Sequence, residues 1–340
     1  MLQLALIASG MVTSVGLNAP ACCAAIRCGI DNNRETPFLD QGGEWISGAM
    51  VPLEKPWRGV SRLQHMLVPA IRECLAAVAG VKHENIPLFL CVAEPERPGR
   101  ISGLDAGFLA RVEEDLAVRF HPQSALLAQG RIGPVRAIRQ AAEMMERGQA
   151  ACCLVAGVDS FLEAETLSVY EEKLRLLCSG NSNGFIPGEG AGAVLLGPAG
   201  SLREAGLIIR GLGFGHEKAA IESEEPLRAD GLVAAIRESL AVAGFRMEDL
   251  DFRITDANGE QYLFKEATLA LSRILRQRRE EFDFWHPADC LGEVGAATAP
   301  IVLGLAEAAL RKGYAPGPGI LCHFGNDDGG RAAVIVSSAV

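Results

Sequence analysis

Apolar positions along the chain fall into short runs and helical stripes that alternate. Residues 2–9 form an apolar run closed by Gly10, and 20–28 a stretch of small residues closed by Gly29, which predicts strand, turn and helix. Residues 31–59 are rich in Gly, Pro and polar side chains and predict an irregular segment. Helical spacing returns over 61–78, ahead of a strand at 88–92. The alternation continues with a helix at 133–147, a strand at 151–158, a helix near 163–178 and a strand at 191–196. This order predicts an α/β protein.

The pattern also repeats. Ala70-Ile-Arg-Glu-Cys-Leu75, a glycine stop at Gly80, a polar link and the strand at 88–92 are echoed by Ala235-Ile-Arg-Glu-Ser-Leu240, a stop at Gly244, a polar link and a strand at 252–255. The offset from Ala70 to Ala235 is 165 residues, about half the chain. Two copies of one α/β unit sharing a core are expected, residues 1–200 and 201–340, divided near the Gly-Pro-Ala-Gly turn at 197–205.

Composition narrows the function classes. With 340 residues, 49% hydrophobic and 22% charged, the chain buries a large core and is not disordered. A net charge of −10 and no run of five basic residues leave no cationic footprint for nucleic acid. The ten cysteines lie mostly in apolar stretches and read as reduced, buried thiols of a cytoplasmic protein. Cys22, Cys23 and Cys28 lack a second pair at zinc-site spacing, so no metal is expected. No charge-free apolar run reaches 18 residues, so no membrane span is expected, and the start of the chain lacks the cationic segment of a signal peptide. Gly188-Glu-Gly-Ala-Gly192 and Gly211-Leu-Gly-Phe-Gly215 resemble phosphate-binding loops, but the first runs into a strand where a nucleotide fingerprint needs a helix. The glycines are better explained by close packing, and no cofactor is expected.

The longer string Asn183-Gly-Phe-Ile-Pro-Gly-Glu-Gly-Ala-Gly192 resembles the Gly-Phe-x-x-Gly-Glu-Gly-Ala-Gly segment of β-ketoacyl-acyl-carrier-protein synthases, members of the thiolase superfamily. Ile7–Gly16, the helix at 137–148 followed by Leu154-Val-Ala-Gly157, Gly292-Glu-Val-Gly-Ala296 and Phe324-Gly325 match further family segments in order. The resemblance implies a thiolase-like fold: duplicated halves with two mixed five-stranded sheets in α-β-α-β-α layers, a dimeric assembly, and a link to fatty-acid or polyketide chemistry.

Carried over residue by residue, the catalytic set is missing. In the family a cysteine at the N-terminus of the buried helix takes the acyl group as a thiolate. Counting back from Gly148 puts Arg131 in that slot. A two-residue slip puts Gln129 there, as in chain-length factors, where glutamine replaces the nucleophile. The first histidine, from a His-Gly-Thr turn, corresponds to Asn258, with Glu260 for the threonine. The second corresponds to Asp289, counted from Gly292, and the lysine before it to Phe284. Glu266 matches a family glutamate. An Asp289 carboxylate accepts hydrogen bonds and so cannot donate one to a developing oxyanion.

The substitutions suggest an ion pair between Arg131 and Asp289, with Glu260 nearby, that plugs the acyl pocket; the alternative is that Arg131 points to solvent. Asp289, Glu293, Asp327 and Asp328 gather at the expected mouth, either as a repulsive rim or as turn formers. His216 and His286 read as capping or surface histidines. The resemblance then implies a non-catalytic accessory subunit, adaptor or scaffold with a degenerate site, a pseudoenzyme of the acyltransferase family. Two alternatives stand beside it. One is an active acyltransferase with a redeployed site built from Cys290, Cys322 and His323. The other is a chain-length-factor-like partner of a true ketosynthase. A homodimer or a heterodimer with a ketosynthase-like protein is expected, with neither nucleic acid nor membrane as partner.

Overall fold

β1 (Leu4–Thr13) runs past the glycine expected to end it. A Cβ on Gly10 would overlap the carbonyl oxygen of Ala70, so Gly10 marks a close helix contact rather than a strand end. The computed structural model describes residues 2–78, 80–201 and 206–339. The expected boundary region, 197–205, partly lies outside them. After β1 come α1 (Ala19–Arg27), capped by Asn18, and a hairpin, β2 (Arg34–Leu39) and β3 (Trp45–Gly48), inside the segment expected to be irregular. The first half continues with α2 (Gly59–Leu75), β4 (Leu88–Val92), α3 (Ala106–Leu116), β5 (Ala125–Ala128), α4 (Gly133–Glu146), β6 (Cys153–Ser160), α5 (Ala164–Glu172) and β7 (Glu189–Pro198). The second comprises β8 (Leu207–His216), α6 (Asp230–Ala243), β9 (Phe252–Thr255), α7 (Gln261–Ile274), β10 (Phe284–Trp285), α8 (Ala288–Leu291), α9 (Thr298–Arg311), β11 (Gly319–Gly325) and β12 (Gly330–Ser338).

Read outward from the centre, the strand order β1-β7-β6-β4-β5 on one side is repeated by β8-β12-β11-β9-β10 on the other. In each copy the first three strands are antiparallel and the last pairings parallel. The two five-stranded units join into one ten-stranded sheet where Leu4 faces Ile209 and Ala5 faces Ile208. α4 and α9 lie between the units, burying Val135, Ile138, Ile301 and Leu305 against Val155 and Val194 of the first and Phe252 and Val334 of the second. α2 and α3 cover the outer face of the first unit, and α6 and α7 that of the second. These are the expected five layers.

The repeat has a physical basis in helix–strand contact. Ala70 of α2 lies on Gly10, and its counterpart Ala235 of α6 lies on Gly213 with the same carbonyl overlap for any added Cβ. On β8, Gly211, Gly213 and Gly215 occupy alternate positions on one face, and Ser239, Ala235 and Gly231 of α6 rest on them. The glycines of that motif seat a helix.

α5 ends earlier than the spacing suggests. Leu174 adopts a left-handed backbone, φ 54°, and Arg175 N bonds back to Tyr170 O at 2.8 Å, a Schellman-type stop without glycine. The strap that follows, residues 173–185, turns Arg175 inward.

Candidate functional site

The chain leaves β5, turns through Gly130–Ile132 and enters α4. Gly130 has φ 55°, and a Cβ there would collide with the Glu94 carboxylate. Arg131, next in line, is 6% exposed and so does not point to solvent. Its Nη1 donates to Glu293 Oε2 at 2.8 Å, its Nη2 to Asp327 Oδ1 at 2.6 Å, and its Nε lies 4.0 Å from Asp256 Oδ2. A guanidinium at a helix N-terminus meets an unfavourable dipole, and here carboxylates outweigh it.

The network extends on both sides. Asn258 Nδ2 donates to Glu293 Oε2 at 2.7 Å and Glu260 Oε2 at 3.3 Å. Arg175 forks onto Glu260 at 2.7 and 2.9 Å and reaches Asp327 Oδ2 at 2.6 Å. Tyr170 Oη donates to the same oxygen at 3.3 Å. Arg97 binds Glu94 through two 2.9 Å bonds and Asp159 at 3.3 Å. Three arginines thus face six carboxylates: Glu293, Asp327, Glu260, Asp256, Glu94 and Asp159. Backbone amides relieve part of the excess, Gly295 N on Glu293 at 2.8 Å, Ala296 N on Asp159 at 3.0 Å and Gly325 N on Asp256 at 2.7 Å. Below about pH 6 protonation relieves more. Burial lifts Asp256 to about 6 against the pull of Arg131, whereas for Asp327 burial is overcome by Arg131 and Arg175, which hold it well below the carboxylate range. Arg131 itself stays charged: burial works against it, and Glu293, Asp327 and Asp256 prevail.

Beside this cluster a cavity of about 10 Å³ is lined by Asp256, Leu291, Glu293, Val294 and Thr298, room for one water. Acyl transfer needs a nucleophile next to a base and free donors for an oxyanion. Here every guanidinium contact named above is to a carboxylate. The thiol that flanks the head of α4 is Cys91 of β4, whose Sγ lies 3.9 Å from where a Gly133 Cβ would stand, and burial pushes its pKa up.

The sequence-selected residues scatter. Arg131, Asn258, Glu260, Glu293 and Asp327 converge. Asp289 does not: its side chain is 69% exposed and pairs with His286 Nδ1 at 3.0 Å. The turn into α9 is Gly295–Ala297, three residues beyond the glycine from which Asp289 was counted, and Glu293 is the acid that reaches Arg131. Asp328 closes the β11–β12 turn through Gly330 N at 2.7 Å. Phe284 packs on Phe264 and under Arg253, outside the cluster. Gln129 precedes the turn, its Oε1 buried with no hydrogen-bond partner among the described residues.

Cys322 and His323 point to opposite faces of β11. Cys322 is fully buried in the central core with its pKa raised by burial. His323, on the other face, is driven down to about 3 by burial and by Arg253 and Arg331, and is therefore neutral. Cys290 is buried, its pKa raised to about 11 by burial, Asp289 and Asp31. Among the described residues neither Cys290 Sγ nor Cys322 Sγ has a hydrogen-bonding base. Glu266 pairs with Arg331 at 2.8 Å, a buried tie between α7 and β12.

Arg175, Arg97, Glu94 and Asp159 were not singled out from the sequence. The one available signal was Arg175 set among apolar neighbours in Leu174-Arg-Leu-Leu177. Among the described residues, one group has metal-ligand geometry, Asp40, Glu171 and Cys178, with ligand atoms within 4.8 Å of one another. Asp40 is already bonded by Ser179 and Glu44, and Glu171 by Gln41 N, so the group ties the hairpin to its neighbours. No described helix is long and apolar enough to cross a membrane.

No family model and no curated relative matches the sequence. Solved structures do match. A ketosynthase in complex with its chain length factor from Xenorhabdus doucetiae aligns with TM-score 0.76 at 16% identity, over 99% of this chain and 98% of that one. A type II polyketide acyl-carrier protein complex with its ketosynthase, bound to a hexaketide, gives TM-score 0.80 at 12% identity over 99% and 100%. The ketosynthase from module 6 of the bacillaene synthase of Bacillus subtilis gives 0.75 at 13% over 99% and 72%. The chain has the thiolase-like ketosynthase fold.

Proposed function

We propose that this chain is a non-catalytic subunit built on the ketosynthase fold, an accessory protein, adaptor or scaffold that kept the architecture and lost acyl transfer. The observation that carries the reading is Arg131, buried at the head of α4 and clamped by Glu293 and Asp327. A thiolate or an acyl thioester placed there would have to displace that clamp. Ten unpaired thiols, eight of them buried, support a reducing, cytoplasmic setting.

The test is intact-protein mass spectrometry after incubation with acyl thioesters and a thiol-directed electrophile that mimics them. The reading expects no acyl adduct on Cys290 or Cys322, with the exposed Cys28 and half-buried Cys178 replaced by serine to remove non-specific labelling. An adduct on Cys290 or Cys322, lost on Cys→Ala substitution, would favour the redeployed-site enzyme and overturn it.

A narrower form of the proposal is partnership with a ketosynthase, as in the complexes named above. Two features support it: Gln129 at the turn, and β5 at the edge of the sheet with Ala125, Leu126 and Ala128 only half-buried. Co-expression with a ketosynthase from the same genome should give a 1:1 complex of two different chains; a homodimer that persists in its presence argues for the broader form.

A further inference from the structure

Among the described residues eight large apolar side chains are exposed, and four of them, Leu39, Trp45, Leu174 and Leu177, lie on two neighbouring segments, the β2–β3 hairpin and the strap after α5. Asp40 joins the segments by accepting from Ser179 Oγ at 2.5 Å and Ser179 N at 3.2 Å. Leu39 and Trp45 are cross-strand partners, so they stand on one face of the hairpin, 52% and 51% exposed. Ile46 turns the other way, onto a small core of Phe161, Leu167, Tyr170, Leu176 and Phe185. That core anchors the hairpin, which would be marginal alone, and leaves the Leu39–Trp45 face uncovered. An open groove of about 490 Å³ runs between that face and α5, with Phe38, Leu39, Trp45 and Leu167 along it.

The ionisable side chains that line the groove, Asp40 and Glu171, have one sign. α5 and its N-cap add Glu163, Glu165 and Glu172, and the hairpin adds Glu35 and Glu44. The basic residues of the hairpin and the strap are already paired: Arg34 Nε with Asn32, Lys173 Nζ with Glu222 at 2.6 Å, and Arg175 with Glu260 and Asp327 in the buried cluster. An apolar trough rimmed by carboxylates suits an apolar anchor flanked by cations, and a rim of like charge repels acidic segments and anionic lipid. We infer that the groove receives a basic amphipathic segment of a partner protein, which sets apolar side chains on Leu39 and Trp45 and Lys or Arg against Asp40, Glu171 and their neighbours. The groove shares no residue with the Arg131 cluster, so it stands or falls separately from the non-catalytic reading.

The probe is a labelled peptide of about 14 residues, Leu at i, i+3, i+4 and i+7 and Lys elsewhere, followed by anisotropy with the full chain at low salt. The expected result is saturable, micromolar binding that quenches Trp45. Leu39→Ser with Trp45→Ser should weaken it about tenfold or more, Glu171→Gln should weaken it less, and salt at about 0.5 M should reduce it. Both double-variant positions are on the surface, so an unchanged circular-dichroism melt certifies the fold. The inference is overturned if the peptide does not bind, if a Lys→Glu version binds as well, or if the double variant binds like the parent. It is also overturned if the double variant dissociates a dimer in sedimentation, which would make the occupant a second copy, or releases the chain from anionic vesicles, which would make it a lipid surface.

Discussion

Gly130–Ile132 and Gly295–Ala297 are one backbone turn used twice, 165 residues apart, and they carry opposite chemistry. The leading glycines have φ 55° and 49°, the residues before them φ −136° and −116°, and each turn opens a 14-residue helix. Each is held by a side chain from the other half: Asn326 Oδ1 accepts from Ile132 N at 3.3 Å, and Asp159 Oδ2 from Ala296 N at 3.0 Å. After the glycine the copies part. Ala296 adds one methyl to the apolar core, whereas Arg131 brings a charge and an acidic shell with it. The fold therefore requires a left-handed glycine and a cross-half acceptor, and leaves the next position free. Charge at position 131 is an addition to the fold, not a condition of it.

The sharpest way to break the comparison is to delete that charge. Arg131→Ala leaves Glu293 buried without its counter-charge and Asp327 with Arg175 alone, and a loss of about 3–5 kcal/mol is expected in urea unfolding. Arg131→Cys should cost a similar amount and still form no acyl-enzyme. Arg131→Met combined with Glu293→Gln and Asp327→Asn should recover most of the loss, because uncharged groups remove the desolvation problem and Arg175 keeps Glu260. A single-variant cost below about 1 kcal/mol would mean that the cluster is solvated and the turns are equivalent after all.

Asp256 gives the next effect, with the opposite sign. Its carboxyl holds a proton to about 6 in the folded chain against a reference of 3.8. Between those values the native state binds more protons than the unfolded one, so stability from this group falls as pH rises through the window and stays lower above it. Asp256→Asn, which can still accept from Gly325 N, should match the parent near pH 4 and exceed it by about 3 kcal/mol above pH 7. Asp327, held low, works the other way, its contribution present at neutral pH and lost only in strong acid. Unfolding curves at pH 4, 6 and 8 separate the two; a variant gain that is the same at all three values would contradict the assignment.

The glycines should behave alike where the arginine and the alanine differ. Gly130→Ala and Gly295→Ala each force a left-handed alanine against a carboxylate, Glu94 in one copy and Asp159 in the other, and each should cost about 2 kcal/mol. A loss confined to one copy, read by thermal melts, would show that the shared backbone is not what holds both turns.

The alternation of apolar runs was enough to read the α/β order and the 165-residue offset, because helix spacing and a glycine stop are local signals. Arg131 was legible as the odd residue at a helix head. Its shell was not. Arg175 turns inward because Leu174 takes a left-handed conformation without a glycine to announce it, and Arg97 and Glu94 come from a loop with no periodicity. Asp289 was placed in the site by counting from Gly292. Gly292 and Gly295 both have positive φ, 65° and 49°, and only the chain path distinguishes the bend from the turn that opens α9. The β2–β3 hairpin is not legible in the sequence because its strands lack clean alternation, with Leu39 and Trp45 facing out.

That misplacement yields the smallest expected effect and the cleanest control. Asp289 and Glu293 are both carboxylates four positions apart, near one helix start, and sequence alone gave Asp289 the better claim on Arg131. The exposed Asp289–His286 pair should contribute little, so Asp289→Ala should change stability by no more than about 0.5 kcal/mol. Its effect should add to that of Arg131→Ala, since the residues share no partner. Glu293→Ala should not add: once Arg131 is gone its acid has lost its principal counter-charge, and removing it should relieve part of the penalty. A double-mutant cycle then gives a coupling near zero for Arg131 with Asp289 and about 1–3 kcal/mol for Arg131 with Glu293. Reversed couplings would move the acidic shell to the exposed residue and return the site to the arrangement read from the glycine at 292.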